Sequence, residues 1–269
     1  MFAAVVPVHN EEARVGSLLR RLQNIEEISK TYVILNGSNR STVEEVESVY
    51  RRNKQKITLV SFKDPLGIDV PRAVGAQLVY TFSMCHAIFI DGDLVGEITK
   101  DLRGLIATAR LNKLDLALTD CYPEKKALEA VSEPMHFFRR LLNQELGLQS
   151  RLGIATPSHG PHIVSRRLLP LVPWDDYAVP PMLLAHAKCN NLNIGIAGVI
   201  PHGLLGSSIK NQTHSQLIID TIAGDCLEAL SVLHHQPRNR SFEGKTYLGY
   251  HKQRRFDLLQ QFLGGRLMN

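Results

Sequence analysis

The sequence predicts an α/β domain built on a mainly parallel central sheet flanked by helices, followed by a helical C-terminal extension. Three observations lead there. Short apolar runs alternate with helical patterns through the first half, as strand–helix–strand units do. One such run, Ala87 to Ile90, stops abruptly at Asp91-Gly92-Asp93, which reads as a buried strand opening at the C-terminal edge of a sheet. The charge is segregated: from His234 to Asn269 seven Lys/Arg face only Glu243 and Asp257, so the tail carries the whole formal charge of +5.

Phe2 to Val8 reads as the first strand. Asn10 is placed to cap the next helix, with Glu11 and Glu12 at its positive end, and Val15, Leu18, Leu19, Leu22 and Ile25 keep helical spacing. Tyr32 to Leu35 is a short second strand closed by the turn Asn36-Gly37-Ser38-Asn39. Ser41 with Glu44, or Thr42 with Glu45, offers a capping box for a helix to about Arg52. Ile57 to Phe62 is a third strand, and Pro71 suits the first turn of a helix carrying Val74, Leu78 and Phe82. The second half is less regular. Leu114 to Thr119 reads as a strand, Glu133 to Leu148 as a helix, and Ile154 to His162, rich in Gly, Pro and His, as a loop. Asp175-Asp176 precedes a helical segment through Met182, Leu183, Leu184 and Ala187. Asn193 to Ile200 is a strand ending in Pro201-His202-Gly203, and His214 to Leu233 has helical spacing. No repeat or linker interrupts the chain, so residues 1–235 form the main domain and 236–269 a basic helical extension.

Composition excludes several classes. A hydrophobic fraction of 44% with 21% charged residues belongs to a globular protein of 269 residues, with no apolar stretch long enough to span a membrane and no signal-like N-terminus. Four widely spaced cysteines without a Cys-x-x-Cys pair read as reduced thiols, which points to a cytoplasmic protein. No aromatic platform accompanies the basic tail, so nucleic acid is not its expected partner. In the tail, Tyr247, Tyr250, Phe256, Leu258, Leu259 and Phe262 interleave with Lys252, Arg254 and Arg255. This predicts an amphipathic helix docked on the domain or on a second subunit, as in a homodimer, with peripheral membrane association the alternative.

Asp91 and Asp93 are the first candidate functional residues. Two carboxylates at the end of a buried strand must meet solvent, a cation or a metal, because an isolated buried ion costs too much. The C-terminal edge of a parallel sheet is where open α/β folds bind ligands. A divalent metal, Mg2+ or Mn2+, bridging to a diphosphate is the most economical occupant.

Four motifs in order carry a family resemblance. VVPVHNEE (Val5 to Glu12) resembles the opening strand and turn of family 2 glycosyltransferases of GT-A fold. ILNGSNRST (Ile34 to Thr42) resembles their second strand and turn, PLGIDVPRAVGA (Pro65 to Ala76) their Gly-to-Arg-Ala-x-Gly-Ala helix entry, and FIDGDL their Asp-x-Asp motif. The resemblance covers residues 1 to about 205. It implies a GT-A nucleotide-diphospho-sugar transferase fold and a metal-dependent hexosyltransferase. The implied donor is a nucleotide-diphosphate sugar, a UDP-sugar ahead of a GDP-sugar, and the acceptor a small-molecule, lipid or glycan hydroxyl. Its implied donor-binding residues are Pro7, His9, Glu11, Asn36, Gly37, Gly67, Arg72 and Asp91, with Arg72 facing the diphosphate from a helix start. Many relatives have an aspartate where Asn36 stands, which leaves the base open. Asp93 and Asp91 take the metal, joined by His202, since related retaining enzymes add a histidine at such a position. Asp175 and Asp176 occupy the place where inverting relatives carry a general base. His159, Gly160 and His162 read as an acceptor-binding loop, and His234-His235 as helix-end surface.

A GT-A-like nucleotidyltransferase is the nearest rival, but VVPVHNEE is not the Gly-rich phosphate loop it would bring. A non-catalytic nucleotide-sugar-binding domain is the other. Dehydrogenase, P-loop, α/β-hydrolase and zincin motifs are missing from the sequence.

Overall fold

Seven strands form the central sheet in the order β3-β2-β1-β4-β6-β5-β7. They are β1 (Phe2–Val8), β2 (Ile28–Asn36), β3 (Ile57–Phe62), β4 (His86–Phe89), β5 (Leu116–Asp120), β6 (His162–Ser165) and β7 (Ile194–Val199). Neighbours pair parallel, except that β6 lies antiparallel between β4 and β5. The structure is a computed structural model and describes residues 1–123, 133–207 and 211–265.

Alternation along β1 explains how the sheet is covered. Ala3 and Val5 face one layer while Phe2, Ala4, Val6 and Val8 face the other. The second layer holds α1 (Val15–Gln23), α2 (Arg40–Arg52) and α4 (Thr99–Leu111). The first holds α3 (Val70–Thr81), α5 (Glu133–Glu145), α7 (Met182–Cys189) and α9 (Gln212–Leu233), and two short helices, α6 (Gln149–Leu152) and α8 (His202–Leu205), complete the domain. Phe82, expected on the apolar stripe of α3, falls just past its end and is exposed.

The helix starts differ from the sequence expectation in an instructive way. Asn10 adopts a left-handed turn (φ 54°) and α1 begins only at Val15. The acid that serves its first amides comes from α2: Glu45 accepts from Ala13 N at 2.8 Å and Gly16 N at 3.0 Å. Glu45 therefore closes no capping box, and Asn39 caps α2 by accepting from Thr42 N at 2.9 Å.

β6 corrects the reading of 154–162 as loop throughout. Its four residues are all buried between two partners, too few to show a strand period. His162 opens this strand, 1% exposed and stacked on Phe89 at 5.0 Å, so it packs in the core. Burial, with the nearby Arg72 cation adding to it, pushes its pKa down to about 3.

The extension folds back onto the first layer. It forms a small hairpin, β8 (Ser241–Phe242) with β9 (Lys245–Thr246), a 3₁₀ turn over Gly249–Gln253, and α10 (Phe256–Leu263). Leu259 and Phe262 are buried, Phe262 lying 5.8 Å ring-to-ring from Phe62. Two of the tail's cations are buried rather than solvated: Arg240 and Arg254 pair with Asp225 of α9 at 2.7–2.8 Å. The helix is shorter than the interleaved pattern suggested, because residues 241–253 turn and hairpin instead. Arg266 lies outside the described residues, as does 208–210.

Truncation after Gly244 removes Arg254 and the apolar face of α10 together. It should destabilise the domain by about 3 kcal/mol or more, since breaking a buried ion pair alone costs that much. Urea unfolding checks this, and an unchanged midpoint would contradict the docking. His162 generates a pH prediction. Its folded pKa lies below the unfolded value of about 6.5, so its contribution is complete above that pH and is lost on acidification, about 2 kcal/mol by pH 5. His162→Phe should therefore show a shallower fall in stability between pH 7 and pH 5; an identical slope in parent and variant would refute it.

Candidate functional site

A cleft of ≈ 700 Å³ opens at the C-terminal ends of β1, β2 and β4. Pro7, His9 and Glu11 line it from the turn after β1, and Asn36 from the end of β2. Gly67 and Arg72 line it from the loop before α3 and its first turn, and Asp91 and Asp93 from the turn after β4. These residues were all candidates from the sequence, and the fold brings them together. Gly37 sits just behind, packed against Pro65. The opposite wall has no counterpart among the candidates: His214, Ile218, Thr221 and Ile222 of α9, with Tyr250 and Gln253 of the extension. A second hollow, ≈ 330 Å³ beside Met1, Lys30 and Phe82, lies at the other end of the sheet and gathers none of these groups.

The turns after β1 and β2 are sewn together. Ser38 Oγ donates to Val8 O at 3.0 Å, Asn39 N to Asn10 Oδ1 at 2.7 Å, and His9 Nδ1 to Asn36 O at 2.6 Å. Glu12 accepts from Asn39 Nδ2 and Thr42 Oγ1; its own backbone amide first, and then these two bonds, hold its pKa below the usual carboxylate range. The Asn36 side chain is tied to the 65–69 loop: Oδ1 accepts from Leu66 N at 2.5 Å and Nδ2 donates to Gly67 O at 3.2 Å. These bonds fix the 65–69 loop and use one of the amide's two N–H donors and one of its two lone pairs, while Asn36 still lines the cleft.

At the cleft floor Asp91 accepts from Arg72 Nη2, and Arg72 Nε donates to Asp69 Oδ1 at 2.9 Å. Arg72 is buried, and its Nη1 has no partner among the described residues. Burial raises the Asp91 pKa, Arg72 opposes this, and the neighbouring Asp93 adds to it. Gly92 is required by close approach, since a Cβ there would stand 2.7 Å from Pro7 O, to which Gly92 N donates at 3.1 Å. Arg14 Nη1 bridges the Asp93 and Gly206 carbonyls at 3.4 and 3.0 Å.

Asp91 and Asp93 offer hard oxygen ligands of the kind Mg2+ and Mn2+ take alongside phosphate oxygens and water. The expected third ligand is not assembled with them. His202 Nδ1 shares a hydrogen bond with His159 Nε2 at 3.1 Å, both rings stack on Tyr122, and His202 N donates to Cys121 O at 2.9 Å. Among the described residues no three His, Cys, Asp or Glu side chains converge into a metal centre.

The 154–161 loop brings Ser158 to the cleft and His159 to the Tyr122 stack, while Gly160 packs against Cys121 Sγ. Burial and the Arg139 cation keep His159 well below its ordinary pKa. Arg139 itself was not a candidate from the sequence. It is 1% exposed, and none of its guanidinium nitrogens has a partner among the described residues; both nitrogens of the buried His136 are likewise unpartnered. The signal was present as polar residues at helical spacing (His136, Arg139, Asn143) on the buried stripe of α5.

Asp175 and Asp176 are not brought to the cleft. Asp176 is fully buried, accepting from His186 Nε2 at 2.7 Å and from Arg238 Nη2 at 2.5 Å, and Asp175 accepts from Gln260 Nε2 at 2.8 Å. The 3₁₀ turn that carries them packs against α3, so Asp176 pins α7 to the extension and lies buried outside the cleft lining.

No family model and no curated protein matches the chain by sequence. Solved structures do match in shape. Glucosyl-3-phosphoglycerate synthase from Mycobacterium tuberculosis, in complex with Mn2+, UDP and phosphoglyceric acid, aligns with a TM-score of 0.62 at 20% identity, over 84% of this chain and 78% of that one. The same enzyme with Mn2+, UDP-glucose and glycerol 3-phosphate gives 0.61 at 20% identity over 84% and 80%. A mycobacterial protein gives 0.61 at 15% identity over 92% and 82%. At these identities the likeness is one of architecture: the chain has the GT-A fold of nucleotide-diphospho-sugar transferases.

Proposed function

We propose that this protein is a metal-dependent glycosyltransferase that moves a sugar from a UDP-sugar to the hydroxyl of a small anionic acceptor. The observation that carries the donor half is the convergence of three strand-end turns and the start of α3 on one cleft, with Asp91, Asp93 and Arg72 at its floor. Structures of the same fold hold UDP with Mn2+ or Mg2+, and UDP-glucose with acceptor.

Asp91 and Asp93 would hold the cation, which when bound neutralises charge developing on the departing diphosphate. Arg72 adds a fixed guanidinium at the same place, its Nη1 still able to donate to a phosphate oxygen. His9 and Glu11 line the cleft and would flank the nucleoside, and the clamped 65–69 loop holds its shape before the donor arrives.

The acceptor half rests on Arg139. A guanidinium buried without an anion is uncompensated, and a phosphate or carboxylate seated beside the 154–161 loop would supply the missing charge. The acceptors in structures of this fold, phosphoglyceric acid and glycerol 3-phosphate, carry such groups.

Calorimetric titration of UDP, GDP and ADP in the presence of Mn2+ tests the donor. UDP should bind tightest, and Asp93→Ala should weaken it at least tenfold without lowering the thermal midpoint. Undiminished UDP affinity in EDTA would overturn the metal assignment. For the acceptor, Arg139→Met should leave UDP binding and stability intact, because it removes an unpaired buried charge. The KM for a phosphorylated or carboxylated acceptor should rise at least tenfold, and an unchanged KM would dismiss the anion site.

A further inference from the structure

We propose that the C-terminal extension is a built part of the donor site and that Arg254 is its positioning residue, acting through Asp69 on Arg72 and Asp91. The inference rests on the donor reading above and adds to it residues that lie far from the cleft-forming motifs in sequence.

Arg254 is fully buried and serves two elements at once. It forms a bidentate pair with Asp225 of α9, both bonds at 2.7 Å, and its Nη2 also reaches Asp69 Oδ2 at 3.4 Å. Arg240 completes the far end by pairing with Asp225 at 2.8 Å and Glu228 at 3.0 Å. Acids and guanidinium groups therefore alternate without a break from Asp91 through Arg72, Asp69, Arg254, Asp225 and Arg240 to Glu228.

Asp69 is the link that marks this chain as more than a fold-stabilising network. It stands at the N-cap position of α3 in a left-handed conformation (φ 62°), yet its side chain makes no capping bond. Its carboxylate is bonded to Arg72 and Arg254. Burial opposes ionisation of Asp69, and these two cations are what favour it. With Arg254 in place, Asp69 holds Arg72 Nε, and the guanidinium is divided between Asp69 and Asp91. Without Arg254, burial outweighs the one remaining cation and favours the protonated Asp69 carboxyl, so Arg72 loses its ionic partner there and rests on Asp91, where it competes with the cation.

The backbone carries the same message. Arg255 N donates to Leu66 O at 2.8 Å, Arg254 Nε approaches Ile68 O at 3.4 Å, and Gln253 O lies so close to Gly67 that a Cβ there would stand 2.2 Å away. The 65–69 loop is thus gripped by Asn36 on one side and by residues 253–255 on the other. Tyr250 and Gln253 then continue from this grip into the cleft wall, with Tyr250 fixed by Thr221 Oγ1 at 2.7 Å and His214 Nδ1 at 2.7 Å.

The test compares full-length wild type, Arg254→Met, and the double variant Arg254→Met with Asp225→Asn. Thermal unfolding, Mn2+ binding by electron paramagnetic resonance, and UDP binding in Mn2+ by calorimetry are read for each. Arg254→Met should lose both stability and ligand affinity, since it takes one of two cations from each of two buried carboxylates. The double variant removes the undercompensated charge on α9 and should recover most of the thermal midpoint. Its Mn2+ and UDP affinities should stay at least fivefold weaker than wild type, because Asp69 still lacks its second cation. If affinity returns together with stability, Arg254 acts only on the fold and the proposal fails. The Mn2+ titration depends on Asp91 and Asp93 whatever the donor. A wild type that binds Mn2+ but no UDP therefore sinks the donor reading, while the Mn2+ affinities of the variants still decide the role of Arg254.

Discussion

The arrangement of this molecule turns on a line of buried ion pairs between the end of β4 and the C-terminal extension. Three guanidinium groups and four carboxylates lie along it, and most of them are shielded from water. Charges in such a setting are tolerable only as neighbours of opposite charge, and removing one strands the next. The line therefore couples four pieces of chain that share no sequence proximity: the Asp91 turn, the start of α3, the middle of α9 and residues 240–254. Against its burial, Arg254 and Arg240 hold the Asp225 pKa below the ordinary carboxylate value.

The cleft is what remains when these constraints are met. A parallel sheet delivers the ends of β1, β2 and β4 to one edge, and the turns there are tied to each other before any ligand arrives. Asn36 illustrates the economy of the arrangement. Its amide carries one acceptor and one donor inward to Leu66 and Gly67, so the loop that faces the cleft is shaped from β2 and from the extension together. Preorganisation of this kind would suit the donor site proposed above, where a diphosphate is placed against a sugar.

The region under the 154–161 loop has the opposite character. Arg139 and His136 are buried with hydrogen-bonding capacity unspent among the described residues, and two neighbouring thiols, Cys121 and Cys226, are pushed up to about 12 by burial. Where the ion-pair line satisfies its charges by internal pairing, this region leaves guanidinium and imidazole nitrogens without partners among the described residues. The two regions thus differ in how they are prepared, and the acceptor proposed above would fill the second.

Periodicity and punctuation in the sequence determine much of the architecture. The strand–helix alternation, the acids at the end of an apolar run and the Pro71 helix entry are local patterns, because strand and helix periods repeat within a few residues. They suffice to gather Pro7, His9, Glu11, Asn36, Gly67, Arg72, Asp91 and Asp93 at one sheet edge. The α9 and extension wall, the antiparallel insertion of β6 and the fate of the remaining polar candidates were decided by tertiary structure alone. His162 and Asp176 look functional as letters, yet one is stacked in the core and the other is locked between His186 and Arg238. Arg254 looks like a solvated tail cation, yet it is the inner link of the ion-pair line. Whether a polar side chain serves a site or the fold depends on which partner fills its valence, and that partner is chosen by packing between segments far apart in sequence, which no local pattern records.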